Sequence, residues 1–166
     1  GKCYQDIKPR YIMLNKPAGY VSATVDKKHP TVLDWINIGN LYNLHIAGRL
    51  DLNSTGLLLV TNDSRWSEAL TAPNKKVAKV YRAELKTPHG PDYQEAFRKG
   101  MFFPHEGITT QPAKLEAIEE RVAKVSLTDG KYNQIKKMFG RSRNPVSALQ
   151  RISVGGLCLD YGLGEG

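Results

Sequence analysis

The sequence predicts an α+β fold, in which a mixed, largely antiparallel β-sheet is flanked by a few helices. Alternating patterns over 78–85, 114–118 and 122–127 indicate strands. Turns or single helical segments connect most of the predicted strands, instead of the regular strand–helix repeat of a parallel sheet. An unbroken aliphatic run at 57–60 indicates a central strand that is buried on both faces.

Apolar spacing and turn residues divide the first half of the chain into short elements. They are a strand over 11–14, a turn at 15–19, an extended segment over 20–24, a short helix that begins after Thr31 and includes Trp35, and the buried strand at 57–60. The cluster 61–64 ends the buried strand with turn-forming residues. We expect Ser64 to cap a second helix that ends before Pro73.

The second half is predicted to contain the remaining helices and strands. They are a helix over 92–99 that Gly100 closes, an extended segment at 101–103, a loop over 104–111, a hairpin of the 114–118 and 122–127 strands, an amphipathic helix over 131–139 and a last strand over 146–154. The segment 87–91 is rich in Pro and Gly and is the best candidate for an internal boundary. We therefore expect one domain over 1–166, made of two lobes with a break near 87–91.

The charge of the chain indicates a polyanionic partner. Lys and Arg number 24 and Asp and Glu number 16, so the formal net charge is +8. Basic residues concentrate at 75–82 and at 131–151, and both segments carry aromatic residues, which are Tyr81, Tyr132 and Phe139. That mixture is typical of surfaces that bind phosphates and stack bases. It favours a nucleic acid as the partner.

Other protein classes are disfavoured by the sequence. No run of eighteen apolar residues is present, so no transmembrane helix is expected. The first residues lack the apolar core of a secretory signal, which favours a cytoplasmic protein. Cys3 and Cys158 lie near opposite ends of the sequence, where a terminal disulfide is conceivable, but without a secretory context we expect two reduced thiols. Neither the cysteines nor the four histidines have metal-ligand spacing, and we expect neither a metal nor a cofactor.

A short polar loop before the buried strand carries a candidate catalytic acid. Asp51 lies two residues after Arg49, between Gly48 and Gly56. A loop against a rigid core strand suits a carboxylate whose position must be fixed. The alternative is an acid in a surface turn beside an arginine, which is the better interpretation of an arbitrary Gly-x-x-Asp segment. We interpret the nearby His45 as structural, because it alternates with apolar neighbours.

The 78–85 strand offers a second candidate feature. Lys79 and Tyr81 are two residues apart and therefore share one strand face. Ala83 and Leu85 belong to the same face. A cation and a phenol placed in this way can line one wall of a pocket. The alternative, which spacing alone favours, is a surface strand with a half-buried tyrosine.

Five segments resemble, in order, the motifs of the pseudouridine synthase family, and the resemblance covers 9–160. They are 14–19, similar to an early lysine–proline–glycine motif; 48–63, similar to the catalytic aspartate motif; 79–81, similar to a Lys-x-Tyr strand; 130–139, similar to a late Gln-Ile-Lys-Lys-Met helix; and 151–156, similar to a closing Arg-x-x-Val-Gly-Gly segment. The aspartate motif and the late helix most resemble the branch that contains ribosomal small-subunit synthase A, which is grouped with large-subunit synthases B, E and F.

The resemblance implies an isomerase that converts uridine to pseudouridine in a catalytic cleft across the sheet. Asp51 matches the essential aspartate of the family, and Tyr81 matches the tyrosine that stacks on the target base. Lys136 matches the partner of the aspartate, and Arg49 the arginine that helps to hold the nucleotide flipped out. The other residues implied to bind substrate are Lys79, Gln134, Lys137 and Arg151. This prediction requires Asp51, Tyr81 and Lys136 to lie close together in space.

The resemblance also implies a partner. We expect ribosomal RNA, in particular small-subunit rRNA, as the substrate of a monomer that needs no cofactor. Most members of this branch carry an N-terminal S4 RNA-binding module, and we expect none in this chain. Lys136 stands where other branches have an arginine, which keeps the charge but loses the bidentate geometry.

Several alternatives stay open at this point. The target uridine can belong to large-subunit rRNA or another RNA, or the chain can be a non-catalytic RNA-binding or ribosome-assembly protein with the same fold. An ordinary glycosidase is disfavoured, because no second acid accompanies Asp51 in a comparable motif. The sequence does not decide whether Asp51 attacks C1′ or C6, or removes a proton from the ribose.

Overall fold

The computed structural model describes residues 9–20, 22, 28, 30–31, 44–50, 52–71, 77–128 and 134–159. The strands in this part of the chain are β1 (Tyr11–Lys16), β2 (His45–Ala47), β3 (Thr55–Thr61), β4 (Lys79–Leu85), β5 (Phe102–Phe103), β6 (Ile108–Thr109), β7 (Lys114–Glu119), β8 (Val122–Leu127), β9 (Val146–Val154) and β10 (Leu157–Cys158). The helices are α1 (Ser64–Thr71), α2 (Tyr93–Lys99) and α3 (Gln134–Arg141). None of these helices is long and apolar enough to cross a membrane.

Eight of the described strands form one mixed sheet with the order β1-β3-β9-β4-β8-β7, in which β2 lies beside β3 and β10 beside β9. The described pairings in this sheet are antiparallel, except that β3 and β9 are parallel. β5 and β6 form a separate small hairpin. The predicted α+β class with a largely antiparallel sheet is confirmed.

β3 is buried on both faces, as its apolar run predicted. Leu57 and Leu59 pack on one face, where Trp66 of α1 lies against them. Leu58 alternates to the opposite face and packs in a cluster with Leu50. Burial of these side chains anchors the loop before β3, because Leu50 is part of the same cluster as the strand.

The largest core cluster lies between the strands and helices α2 and α3. From the helices it takes Phe97 of α2 together with Ile135, Met138 and Phe139 of α3. The rings of Phe97 and Phe139 have centroids 4.7 Å apart. The apolar stripe of the predicted 131–139 helix is therefore confirmed over the residues of α3, whereas 131–133 lie outside the described residues.

α1 is capped by a different residue from the predicted one. The carboxylate of Asp63 accepts hydrogen bonds from the backbone N–H groups of Arg65 and Trp66, each at 3.2 Å, and Ser64 is the first residue of the helix. The hydroxyl of Tyr11 also donates to Asp63 at 2.5 Å. This hydrogen bond is the main cause that lowers the pKa of Asp63, followed by the bond from Trp66. The prediction that Ser64 caps this helix was wrong. The carboxylate of Asp63 does so instead, because it can accept hydrogen bonds from two backbone N–H groups and from the phenol at once.

The remaining predicted elements have mixed outcomes. α2, the β7–β8 hairpin and β9 are confirmed, and Gly100 closes α2 with φ of 80°. The predicted loop over 104–111 contains β6, which pairs with β5. The extended segment at 20–24 and the helix after Thr31, which includes Trp35, lie largely outside the described residues.

The segment 87–91 is bound to the rest of the chain at its first residue and at its middle. The side chain of Asn144 accepts from the Thr87 N–H at 2.9 Å and donates to the Thr87 carbonyl at 2.7 Å. The N–H of His89 donates to the carbonyl of Glu120 at 2.9 Å. The division of 1–166 into two lobes near this segment stays a prediction.

β3 and β9 approach each other so closely that only glycine fits at position 56. Gly56 is paired with Arg151 and has φ of +105°. A Cβ atom at this position would lie 2.2 Å from the carbonyl oxygen of Arg151 and 2.7 Å from its backbone nitrogen. Side chains other than glycine also rarely adopt such a φ. This glycine therefore sets the spacing between the strand after the polar loop and the strand that carries Arg151.

We expect Gly56→Ala to lower the free energy of unfolding by about 3 kcal/mol, because left-handed backbone costs about 1–2 kcal/mol and overpacking about 1–3 kcal/mol. Gly107→Ala is the matched control, since Gly107 also has a positive φ, of 64°, but a Cβ there would meet nothing within 4 Å. The control should lose only about 1 kcal/mol. Urea unfolding followed by circular dichroism measures both losses, and equal losses would contradict the close approach of β3 and β9.

Candidate active site

The candidate site is built around the polar loop between β2 and β3. Asp51 itself lies outside the described residues, whereas 44–50 and 52–61 on either side of it are described. The site is therefore defined by the contacts of these two flanks and by the elements packed against them.

Arg151 binds both ends of the loop from inside the protein. Its Nη2 donates to the carbonyl of Gly48 at 2.9 Å, and its Nε donates to the carbonyl of Leu57 at 2.9 Å. Only 1% of the residue is exposed. A buried guanidinium is a rigid, planar donor, so these two bonds fix the loop entrance relative to the start of β3.

Lys16 binds the second flank of the loop. Its side chain is fully buried, at 0% exposure, and its Nζ donates to the carbonyls of Leu52 at 3.1 Å, Ser54 at 2.8 Å and Pro17 at 2.9 Å. The N–H of Gly19 donates to the same Leu52 carbonyl at 2.8 Å. Charge-assisted bonds of this kind are about twice as strong as neutral ones, so residues 52–54 are held against the end of β1.

Ser22 fixes the residue directly before Asp51. Its buried hydroxyl donates to the carbonyl of Leu50 at 2.8 Å and accepts from the Leu50 N–H at 3.1 Å. Both backbone groups of Leu50 are thus satisfied by one side chain. Together with the Arg151 and Lys16 bonds, this contact restrains the backbone on both sides of position 51.

Tyr81 packs against two hydrophobic clusters. It packs against the cluster of Leu50 and Leu58, and it also packs against the core cluster that contains Ile135 and Met138. The same core cluster contains Ala83 and Leu85, so the strand face predicted for Tyr81 is confirmed. Tyr81 is partly buried and contacts both clusters.

A β-bulge lies beside Tyr81. Val80 of β4 pairs with Ser153 of β9, whereas Tyr81 pairs with Arg151, so the register shifts between Val80 and Tyr81 and leaves Ile152 as the extra residue. Bulges re-aim neighbouring side chains and are common next to active sites. Here the bulge is at the point where Tyr81 and Arg151, two of the predicted site residues, are paired.

The other predicted site residues differ in how far their side chains are exposed. Arg49 is exposed, and Lys136 and Lys137 of α3 are partly buried. Lys79 is 9% exposed. Gln134 is 5% exposed, and its side-chain amide donates to the carbonyl of Gln111 at 3.3 Å.

Tyr81 packs against the cluster of Leu50 and also against the core cluster to which α3 contributes Ile135, Met138 and Phe139. The closeness of Asp51, Tyr81 and Lys136 stays a prediction. The structure does not bring Arg151 or Gln134 to the surface, because both side chains are buried and bonded to backbone groups.

The structure buries one of the aromatic residues that lie in the basic segments of the sequence. Phe139 is fully buried against Phe97 and cannot stack on a base. Its position on the apolar stripe of the amphipathic helix was the signal for burial. Tyr132, the other aromatic residue of that basic segment, lies outside the described residues.

Sequence reasoning missed the roles of Lys16 and Ser22. Lys16 lies in the segment that resembles the early lysine–proline–glycine motif, yet nothing local shows that its ammonium is buried against carbonyls 36 and 38 residues away. A lysine that ends an apolar strand before a Pro–Gly turn was the available signal. Within the described residues, no group of three His, Cys, Asp or Glu side chains could hold a metal ion.

We expect Lys16→Met and Arg151→Met each to lower the free energy of unfolding by about 3 kcal/mol, because each buried carbonyl left without its donor costs about 1–3 kcal/mol. Lys86→Met and Arg121→Met are the controls, since both residues are exposed, and they should change stability by less than about 0.5 kcal/mol. Urea unfolding measures the four variants. Losses in the buried pair no larger than in the exposed pair would show that these cations do not hold the loop.

Comparisons of the sequence and of the structure with known proteins all match the same family. Residues 10–141 match the family model described as RNA pseudouridylate synthase. The chain is 48% identical over 157 residues to ribosomal small subunit pseudouridine synthase A of Pseudomonas aeruginosa, covering 95% of this chain and 68% of that protein. It is 42% identical over 158 residues to the protein of the same name from Escherichia coli, with the same coverage of 95% and 68%. A crystal structure of a pseudouridylate synthase superposes with a TM-score of 0.89 at 35% identity, covering 95% of this chain and 68% of that one.

Proposed function

The chain belongs to the RNA pseudouridylate synthase family, and we propose that it isomerises a uridine of small-subunit ribosomal RNA to pseudouridine at the site around Asp51. Two relatives that are 48% and 42% identical carry the name of the small-subunit synthase A, which supports the choice of RNA. The observation that supports the site is the packing of Tyr81 against both the Leu50 cluster at the restrained loop flank and the core cluster to which α3 contributes. A cytoplasmic monomer is the form expected for this substrate.

The reaction balances within the nucleotide. The bond between C1′ and N1 breaks, the uracil turns, and a bond between C1′ and C5 forms. The proton that leaves C5 is matched by a proton gained at N1, so the reaction needs neither an oxidant nor an energy source. The protein has to supply a positioned carboxylate, a place for the flipped base and a group that helps to remove the C5 proton.

We assign these tasks to three residues. Asp51 supplies the carboxylate, and Tyr81 stacks on the uracil and assists removal of the C5 proton. Lys136 is the cation that stabilises the ionised carboxylate in a closed site. The packing of Tyr81 against the Leu50 cluster and against the core cluster to which α3 contributes supports this assignment.

The reaction requires the loop backbone on both sides of Asp51 to be held in position. A misplacement of about 1 Å can cost about a hundredfold in rate. The bonds from Ser22 to Leu50, from Arg151 to Gly48 and from Lys16 to Leu52 limit such displacement. We therefore propose that Arg151 acts as a positioning residue, in place of the substrate contact that the sequence suggested.

The reaction also requires the protein to bind the RNA around the target uridine. The target nucleotide has to leave its stack, at a cost of about a few kcal/mol. Arg49 is an exposed residue of the loop and suits a phosphate of the flipped nucleotide, while Lys137 of α3 suits another phosphate of the same strand. Lys79 and Gln134 are mostly buried, so we propose that they support the walls of the site.

Asp51→Asn tests the catalytic carboxylate. We expect this variant to bind RNA and to form pseudouridine at least on the order of 10³-fold more slowly, because the amide cannot act as a base or as an anionic nucleophile. Asp92→Asn is the matched control, since Asp92 is exposed and makes no side-chain cap bond to α2. Carbodiimide mapping of treated small-subunit and large-subunit rRNA measures product and identifies the RNA. Activity of Asp51→Asn at the wild-type level would refute the assigned role.

Tyr81→Phe tests the hydroxyl separately from the ring. Phenylalanine keeps the packing against Leu50, so we expect KM to stay within about threefold while kcat falls about 10²- to 10⁴-fold. The control is Tyr93→Phe, whose hydroxyl makes only a 3.4 Å bond to the Ser142 carbonyl. Tritium release from RNA labelled at C5 of uridine measures both constants. An unchanged kcat would limit Tyr81 to packing and stacking.

A further inference from the structure

The proposed function assigns no role to the β5–β6 hairpin, which lies against the C-terminal half of α3. We define the hairpin–α3 surface by Phe102, Phe103 and Glu106 of the hairpin and by Lys137 and Arg141 of the helix. Phe102 is 53% exposed, although it is a large apolar side chain. Isolated exposed aromatic rings need no explanation by themselves, so the argument depends on the contacts around this one.

Side-chain contacts hold the hairpin against the helix. The guanidinium of Arg141 donates to the carbonyl of Phe102 and lies 5.3 Å from the ring centroid of Phe103. The Nζ of Lys137 lies 3.3 Å from Oε1 of Glu106. The base of the hairpin is fixed by bonds between Met101 and Thr110, both at 2.8 Å. The surface is therefore preformed, with a cation over one ring and a second ring open to solvent.

The Lys137–Glu106 pair is weak enough to be exchanged. Its side chains are 35% and 43% exposed, and exposed ion pairs contribute only about 0–1 kcal/mol. A phosphodiester of the RNA backbone carries the same single negative charge as a carboxylate and also has two strong acceptor oxygens, so it can replace Glu106 on Lys137. Arg141 pairs well with phosphates for the same reason and also stacks on aromatic faces.

The surface and the site are connected through α3. Ile135 and Met138 of this helix belong to the core cluster against which Tyr81 packs. Lys137 directly follows Lys136 in the helix, and Arg141 lies about 6 Å further along the helix axis. RNA with its target base beside Tyr81 has neighbouring nucleotides within reach of these cations.

We propose that the hairpin–α3 surface binds unpaired nucleotides next to the target uridine, with a base stacked on Phe102 and phosphates bound by Arg141 and Lys137. Unpaired bases stack on exposed aromatic rings and on guanidinium groups, while basic side chains follow the backbone. Glu106 holds Lys137 in the absence of RNA and is displaced when a phosphate arrives. This inference rests on the proposed function for the identity of the RNA that reaches the surface.

Binding of the whole chain to a single-stranded oligouridine of about twelve nucleotides, and to a blunt RNA duplex, tests the proposal. We expect Phe102→Ala to weaken binding of the single strand about tenfold, with little effect on the duplex. Arg141→Gln should reduce the slope of log K against log salt by about 1. Glu106→Gln should tighten binding about two- to fivefold, and a gain of this kind cannot come from loss of folding.

Matched controls come from other parts of the chain. Ile118→Ala removes a side chain that is 54% exposed, and Glu116→Gln breaks an exposed pair with Lys114 at 3.2 Å. Both should bind the single strand like the wild type. If Phe102→Ala and Glu106→Gln also bind like the wild type, the proposal is overturned, and a protein partner becomes the better explanation of the exposed ring.

The outcomes separate this inference from the proposed function. Wild-type formation of pseudouridine in rRNA, with unchanged binding by the hairpin–α3 variants, would refute the surface and leave the enzyme assignment intact. Binding that depends on Phe102 and Glu106, with no pseudouridine formed by the wild type, would support the surface and refute the proposed reaction.

Discussion

Two buried cations hold the backbone around Asp51. Arg151 binds the carbonyls of Gly48 and Leu57, and Lys16 binds carbonyls of the opposite flank. Burying a charge is expensive unless it is paired or fully hydrogen-bonded, and here carbonyl dipoles supply those bonds. The arrangement requires the loop to be in place, since both cations would otherwise be buried without acceptors. Loop position and core stability are therefore linked in one set of interactions.

Strand packing connects the restrained loop to Tyr81 on β4. Gly56 allows β3 to approach β9 at Arg151, and the bulge at Ile152 then changes the pairing from Ser153 to Arg151 next to Tyr81. Side chains in close-packed interiors have little room to move independently. A shift of the loop would therefore displace Arg151 and, through its pairing with β4, Tyr81. Such restraint of the loop flanks is what the proposed role of Asp51 requires, because a catalytic carboxylate has to be held in position.

α3 performs two tasks on two faces. Its apolar stripe closes the main core through Met138 and Phe139, and its basic side chains Lys137 and Arg141 contact the β5–β6 hairpin. A helix can serve both tasks because its side chains are distributed around the axis with a period of 3.6 residues. The adjacent hairpin adds an exposed ring at Phe102, which Phe139 cannot offer from the core.

Local pattern determined the secondary structure in this protein, and motif order determined its family. The aliphatic run at 57–60, the β7–β8 hairpin and the apolar stripe of α3 could be predicted because each depends on spacing within a few residues. The resemblance pointed to Asp51 and Tyr81 as candidate site residues. Only the tertiary structure decided that Arg151 is buried beneath the loop and that Lys16 ends on carbonyls far along the chain. Those outcomes depend on which strands become neighbours, and a side chain's partners across a sheet leave no local signal.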